Sequence, residues 1–384
     1  MKSDGMIYLD HNATTPLDPD VFQEMTPFLT SHFGNASSVY ELGRQSKDAV
    51  KQARERIAEL LGCHSRCIVF TSGGTEANNA AVRSALQLTG RRHIVISAVE
   101  HPAIKTFAES LEQEGVGVTY VSVNDDGAMD VSMIESSIRE DTALVSVMWA
   151  NNETGVVYPI EAIGELCRKK GVLFHTDAVQ AVGKLLIALE QLPIDYASFS
   201  AHKLCGPKGI GALYVNRRSG FSPLLWGGGQ ERGRRGGTEN VPGIVGFGAA
   251  AERRKNLLLD EMDRIQAIRD KFENTLLARI PEIVIHGKRS QRLPNTSYIG
   301  FPNIEAEALL LLLDKKGICA STGSACSTGS LEPSHVLLAM GVSRNLATSS
   351  IRFSFGETNR DDQVAQVVDS VVESVEHMKS MIPG

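Results

Sequence analysis

Two short blocks of this sequence carry residue types that act together in electron-sink chemistry. Ser200-Ala201-His202-Lys203 closes an apolar, strand-like run, and His175-Thr176-Asp177-Ala178 closes an earlier one. A lysine amine can hold an aldehyde cofactor as a Schiff base, and a carboxylate can keep a pyridine nitrogen protonated so that the ring accepts electrons. Lys203 and Asp177 suit those two jobs, so the pair reads as a pyridoxal 5'-phosphate site. A third block, Thr71-Ser72-Gly73-Gly74-Thr75-Glu76-Ala77-Asn78, ends a strand in small residues and opens a helix whose unpaired N–H groups and dipole favour an anion. Thr75 adds a hydroxyl there. Each block has a plainer alternative: a solvated surface charge for Lys203, a helix N-cap for Asp177, and an ordinary strand-to-helix turn for Thr71 to Asn78.

Other chemistries find less support. The chain has no G-x-x-x-x-G-K-[ST] sequence, and Gly227-Gly228-Gly229-Gln230-Glu231-Arg232-Gly233 lacks the lysine and hydroxyl of a nucleotide P-loop. A net charge of −6, with both signs mixed along 384 residues, gives no basic face for a phosphate backbone, so no direct nucleic-acid contact is expected. No apolar run approaches the ~20 residues that span a bilayer, and the first residues lack the apolar centre of a secretion signal, so a soluble, cytoplasmic protein is expected with no membrane contact. The six cysteines are sparse and irregular, which predicts reduced thiols. Cys63 and Cys67, even with His64 between them, have the wrong spacing for a metal site, and no metal is expected.

The elements that must position these blocks alternate. Short β-branched runs at 67–71, 93–98, 116–123, 143–149, 172–176, 195–200 and 211–215 predict strands, with helices between most of them. This is an α/β pattern with a mostly parallel central sheet flanked by helices, in which the run from Gly211 has the look of an antiparallel return. From about Ala250 the texture changes to a long amphipathic helix over 252–279, short strands, a Gly/Ser-rich loop and a closing helix over 360–381. Two domains are predicted: a large cofactor-binding domain over 16–250, and a smaller α+β domain formed by 1–15 and 251–384.

The order of Gly74-Thr75-Glu76-Ala77-Asn78-Asn79, Glu100-His101-Pro102, Asn151-Asn152-Glu153-Thr154-Gly155, His175-Thr176-Asp177-Ala178-Val179-Gln180 and Ser200-Ala201-His202-Lys203 resembles the cysteine desulfurases of the NifS/IscS type, in the class V aminotransferase family. The resemblance runs nearly end to end. It takes in Tyr8-Leu9-Asp10, Gly233 to Asn240, and Ser321-Thr322-Gly323-Ser324-Ala325-Cys326 followed by Ser330 to His335. It implies a fold-type I pyridoxal phosphate-dependent transferase acting as a homodimer.

The resemblance also implies roles. Lys203 would hold the cofactor as its internal aldimine, Asp177 would pair with the pyridine nitrogen, and Gln180 would hydrogen-bond the ring hydroxyl. His101 would stack on the ring and move protons, with Asn152 at the ring's side. Gly74, Thr75, Ser200 and His202 would cradle the phosphate, and Thr238 would reach it from a second subunit. Arg352 would clamp the substrate carboxylate, a task suited to a planar bidentate donor, with Asn35 assisting. The chain carries Ala36 and Tyr40 where relatives usually have proline and histidine.

Cys326 would set this chemistry apart from that of other pyridoxal enzymes. Its thiolate would take the sulfur of L-cysteine as a persulfide, release L-alanine, and pass the sulfur to an acceptor protein such as an iron–sulfur scaffold. A free thiol titrates near ~8.5, so a nearby base matters, and His101 is the candidate. Cys205, two residues after Lys203, suits packing better than delivery. The rival readings are a selenocysteine lyase or aminotransferase on the same scaffold, or an inert interaction scaffold.

Overall fold

The computed structural model describes residues 5–323 and 332–381. A short first strand, β1 (Ile7–Tyr8), is followed by seven strands that form one sheet: β2 (Ile68–Thr71), β3 (His93–Ser97), β4 (Gly117–Val121), β5 (Thr142–Ser146), β6 (Leu173–Asp177), β7 (Tyr196–Ser200) and β8 (Gly211–Val215). Their order across the sheet is β2-β8-β7-β6-β5-β3-β4. All neighbours are parallel except β8, which runs antiparallel to both β2 and β7. All seven predicted strands are present, and the return at Gly211 is the antiparallel one.

Helices cover both faces of this sheet, so β2, β3, β5, β7 and β8 are buried along their whole length. That is why residues 68–70, 94–96, 143–145 and 212–215 read as continuous apolar runs without alternation. Parallel strands deliver their carboxyl ends to one edge, where an open α/β sheet gathers its ligand-binding loops. Thr71, Ser97, Ser146, Asp177 and Ser200 all end strands there. Gly211 enters the sheet at the same edge, and a Cβ on it would sit 2.6 Å from the backbone of Gly73 and of Phe199, so only glycine allows this approach.

A second core lies outside the sheet. It gathers Ile7 and Leu9 with Leu258 to Leu276, Ile299, Phe301, Leu309, Leu313, Phe353 and the valines of the last helix, Gln363–Ser380. Strands β9 (Val284–Ile285), β10 (Thr296–Gly300) and β12 (Ser350–Ser354) form a small antiparallel sheet, while β1 pairs in parallel with β11 (Ile318–Cys319).

One 39-residue helix, Val241–Arg279, joins the two cores. Val241 to Ala251 pack into the main core and Leu258 to Leu276 into the second. The helix begins eleven residues before the predicted Glu252, with Asn240 Oδ1 capping it by accepting from Gly243 N at 3.1 Å. Its first turns, with Gly243, Gly246 and Gly248, are buried nearly all round and show no amphipathic period to read.

Candidate active site

The loops at the carboxyl edge of the sheet enclose a cavity of about 370 Å³ lined by Lys203, Asp177, His101, Gln180, Thr75 and Arg352, among others. Asn12, Gly74, Asn78, Asn152, Ser200, His202 and Gly323 complete much of its wall. A volume of this order suits a ligand of cofactor size.

Asp177 ends β6 and keeps its carboxylate buried under the cavity floor. Asn78 Nδ2 donates to its Oδ2 at 2.7 Å and Val179 N to its Oδ1 at 3.0 Å. Asn78 comes from the helix Gly74–Thr89, one turn in from its start, and its own Oδ1 is buried without a hydrogen-bond partner among the described residues. The same helix opens at the cavity with Gly74, where a Cβ would stand 2.8 Å from Val179 Cγ2. Glu76 secures this first turn: it accepts from Ser72 N at 2.7 Å and pairs with Arg235 at 3.0 Å. Burial alone would raise the Glu76 pKa, but the Arg235 and Ser72 hydrogen bonds outweigh it and hold the carboxyl below its usual value.

Lys203 follows β7 in a single 3-10 turn. Its Nζ donates to the backbone carbonyls of Asn12 at 2.5 Å and Ala13 at 2.7 Å. Gln180 Nε2 donates to that same Asn12 carbonyl at 3.0 Å. Asn12 Nδ2 donates in turn to Asn152 O and Thr296 Oγ1. The N-terminal segment is thereby bound to both the lysine and the second core.

His101 caps the helix Pro102–Gln113 by accepting from Ala103 N through Nδ1 at 3.1 Å. A neutral ring that accepts at Nδ1 carries its proton on Nε2. Burial is the main force lowering the His101 pKa; Lys203 and His335 push the same way and Asp177 opposes them. His202 is likewise lowered to about 4, first by burial and then by Lys203. The preceding Glu100 is fully buried, with Oε1 accepting from Ser97 Oγ and Met148 N, and burial pushes its carboxyl up to about 8. His335 Nε2 donates to Glu100 O at 2.9 Å, which brings the block after Cys326 up against His101.

Arg352 reaches the cavity from β12. Its Nη2 donates to Asp10 Oδ1 at 2.6 Å and its Nη1 to Asn152 O at 3.0 Å, while Nε is buried without a partner among the described residues. A carboxylate arriving here meets an arginine already oriented by Asp10. Below Gly323, Tyr298 donates to Thr322 O at 2.8 Å, and Glu153 accepts from Ser334 Oγ. These contacts fasten the chain on either side of 324–331. Cys326 itself lies outside the described residues.

Two predicted residues stand apart from the cavity. Asn35 is exposed and accepts from Ser37 N at 2.8 Å. Thr238 is exposed and lines a separate cavity of about 190 Å³ with Thr71, Ser72 and Arg235. Cys205 adopts φ +60° beside Lys203, and its N donates to Thr15 Oγ1. Among the residues that line or brace the cavity, Asp10, Asn12 and Asn78 received no role from sequence. Asp10 and Asn78 lie inside blocks the resemblance already marked, while Asn12 carries no signal beyond its nearness to them.

The amine, buried acid and helix N-terminus around one cavity are the donor set that pyridoxal phosphate requires, and the residues fit that group. Residues 7–367 match the family model described as aminotransferase class-V. The chain is 51% identical over 380 residues to a cysteine desulfurase of Nostoc sp., covering 99% of this chain and 95% of that protein. It is 46% identical over 379 residues to the cysteine desulfurase NifS of Azotobacter vinelandii, covering 98% and 94%. A solved NifS-like protein superposes with a TM-score of 0.91 at 37% identity, covering 97% of this chain and all of the other. The chain belongs to the pyridoxal phosphate-dependent aminotransferase class-V family and, within it, to the NifS-type cysteine desulfurases.

Proposed function

We propose that this protein is a homodimeric cysteine desulfurase that converts L-cysteine to L-alanine and carries the sulfur as a persulfide on Cys326. The observation that carries this reading is the convergence of Lys203, Asp177 and the Gly74–Thr75 helix start on one cavity, which Gly323, three residues before Cys326, also lines. The sulfur acceptor is an iron–sulfur scaffold protein in this reading, in keeping with the NifS name of the Azotobacter relative. A cytoplasmic location goes with it; no described helix is long and apolar enough to cross a membrane. The reading divides the chain into a large domain over 16–250 and a small one formed by 1–15 and 251–384, with Tyr298, Val336, Leu337, Met340 and Ala347 of the latter packing into the main core.

Bound in the cavity, pyridoxal phosphate supplies a protonated ring that withdraws electrons from the substrate's α-carbon. Thr75, Ser200 and His202 would hold its phosphate, Asp177 its ring nitrogen, and Lys203 Nζ its aldehyde carbon. Arg352 binds the carboxylate of L-cysteine. The Lys203 amine would take the α-proton and later return it, and His101 holds a proton at Nε2 within the same wall. The Cys326 thiolate attacks the substrate sulfur: the S–S bond forms, the C–S bond breaks, and the electron pair stays with the three-carbon fragment. The β-carbon of that fragment takes up one proton, the α-carbon regains its own, and alanine leaves. Atoms balance without a redox partner, since one thiol and cysteine become one persulfide and alanine.

The test is to supply L-cysteine and no keto acid. Alanine release with a change in the cofactor's visible absorbance is expected. A requirement for a keto acid would make the protein an aminotransferase instead.

A further inference from the structure

Behind the cavity wall lies a second buried amine that the proposed reaction does not use. Lys184 is 7% exposed and stands one helical turn's spacing after Gln180, in the consecutive turns that follow β6. Its Nζ donates to Gln180 Oε1 at 2.7 Å and to Asn12 Oδ1 at 3.3 Å. An ammonium placed this way must face an oxygen, and the Asn12 carbonyl must face an N–H, so the two contacts set the same sense of the Gln180 amide. With Oε1 engaged, Gln180 presents Nε2 to the Asn12 carbonyl, and Lys203 Nζ donates to that same carbonyl. Nε2 has a second hydrogen, and Gln180 lines the cavity.

We propose that Lys184 is a positioning residue that locks the Gln180 amide with its NH₂ toward the cavity, so that the cofactor's ring oxygen meets a donor and never the amide oxygen. This rests on the reading of the cavity as a pyridoxal phosphate site. A donor on the ring oxygen lowers that oxygen's share in holding the proton on Lys203 Nζ once the cofactor is bound. Without Lys184 only the Asn12 carbonyl holds the amide in this sense; in the flipped form an acceptor faces the ring oxygen and the proton is held more tightly.

The charged surroundings of the two amines are few. Lys203, Arg254 and Arg352 face Lys184 within the wall, and His11 lies near it. On its outer side, a cavity of about 600 Å³ brings Arg269, Asp270, Glu273, Lys288 and Arg292 beside it, with Glu273 and Arg292 paired at 2.7 Å. Asp177, His101 and His202 face Lys203 from the cavity side. Burial first, and then Lys203, Arg254 and Arg352, push the Lys184 pKa well below its ordinary value.

The test is the pH titration of the bound cofactor's visible absorbance in K184M and K184Q. K184M removes the donor, and its titration midpoint is expected to rise by ~1 pH unit, a tenfold gain in proton affinity. K184Q can still donate to Gln180 Oε1 and is expected to stay near the unsubstituted midpoint. An unchanged midpoint in K184M, with the absorbance intact, overturns the proposal, as do equal shifts in both variants. The cofactor-free protein gives an independent readout: with ¹⁵N-labelled glutamine, the Gln180 side-chain amide protons are expected to exchange slowly in the unsubstituted protein and in K184Q, and quickly in K184M. Equal exchange in all three contradicts the role of Lys184 even if the cavity binds no pyridoxal phosphate, a failure that would count against the proposed function alone.

Discussion

Asn78 Nδ2 lies 2.7 Å from Asp177 Oδ2, so the buried acid at the floor of the cavity is held by a residue from the helix whose start faces the same space. The contact joins two tasks. The helix Gly74–Thr89 offers its first turn to an anion, and from its next turn it orients the carboxylate that would hold the ring nitrogen. Asn78→Ala removes a hydrogen bond to a charged group, worth ~1.5–3 kcal/mol, without touching the lysine. Pyridoxal phosphate affinity is expected to fall at least ~10-fold. Titration of cofactor-free protein by visible absorbance measures it.

Lys203→Ala separates covalent capture from folding. The variant is expected to lose the visible absorbance of bound cofactor and all turnover, while its far-ultraviolet circular dichroism stays unchanged. His101→Ala keeps the absorbance and lowers turnover by ~10²-fold, the usual scale for a proton-moving side chain. Unchanged kinetics would reduce His101 to the helix cap it forms with Ala103 N.

Thr238 is exposed and lies away from the cavity of its own chain, yet its loop is tied to the phosphate-facing helix through Arg235 and Glu76. In a dimer with crossed sites, Lys203→Ala and Thr238→Ala subunits complement one another: one of the two sites of the mixed dimer has both residues intact. Mixing the variants is expected to restore activity that neither shows alone. No restoration would place Thr238 outside the partner's site.

The pH dependence of stability follows from the buried titratable groups. Burial lowers His11 and His286 to about 4 and His175 to about 3. Below ~6.5 the unfolded chain takes up protons that these rings refuse, so their contribution is present above that pH and lost as pH falls. Glu100 acts in the opposite sense: raised to about 8, it keeps a proton in the fold that the unfolded chain releases above ~4.3, so its contribution fades as pH rises. Burial raises Glu153 as well. Three histidines against two carboxyls leave about one excess proton in the unfolded state, with the partly exposed His202 adding less. Between pH 4.5 and 5.5 stability of the cofactor-free protein is expected to rise by ~1 kcal/mol, and the gain fades toward pH 6.5 as the histidines of the unfolded chain lose their own protons. Urea midpoints across that range check the sign; a flat profile would contradict it.

Much of the cavity wall was legible in sequence because strand ends punctuate it. Asp177, Ser200 and Lys203 follow apolar runs, and Gly74 opens a helix, so each residue's place followed from local pattern. Residues that act through others left no such mark. Asn12 gathers Lys203, the neighbouring Gln180 and Lys184, and Asn295, all far from it in sequence, and only tertiary packing brings them together. Likewise, the pairing of Arg352 with Asp10 joins β12 to the N-terminal segment across 342 positions of sequence. The buried start of the helix Val241–Arg279 was missed for a different reason: a segment covered on every side has no polar face to give it a period.

The central claim is that sulfur leaves cysteine onto Cys326. After exposure to L-cysteine without added thiol, mass spectrometry of the peptide containing Cys326 is expected to show one added sulfur atom, with one alanine released per active site. In Cys326→Ser the added sulfur and the alanine should both vanish while the cofactor's absorbance remains. Normal alanine release from Cys326→Ser, with the sulfur found on Cys205 or Cys319, would contradict the account.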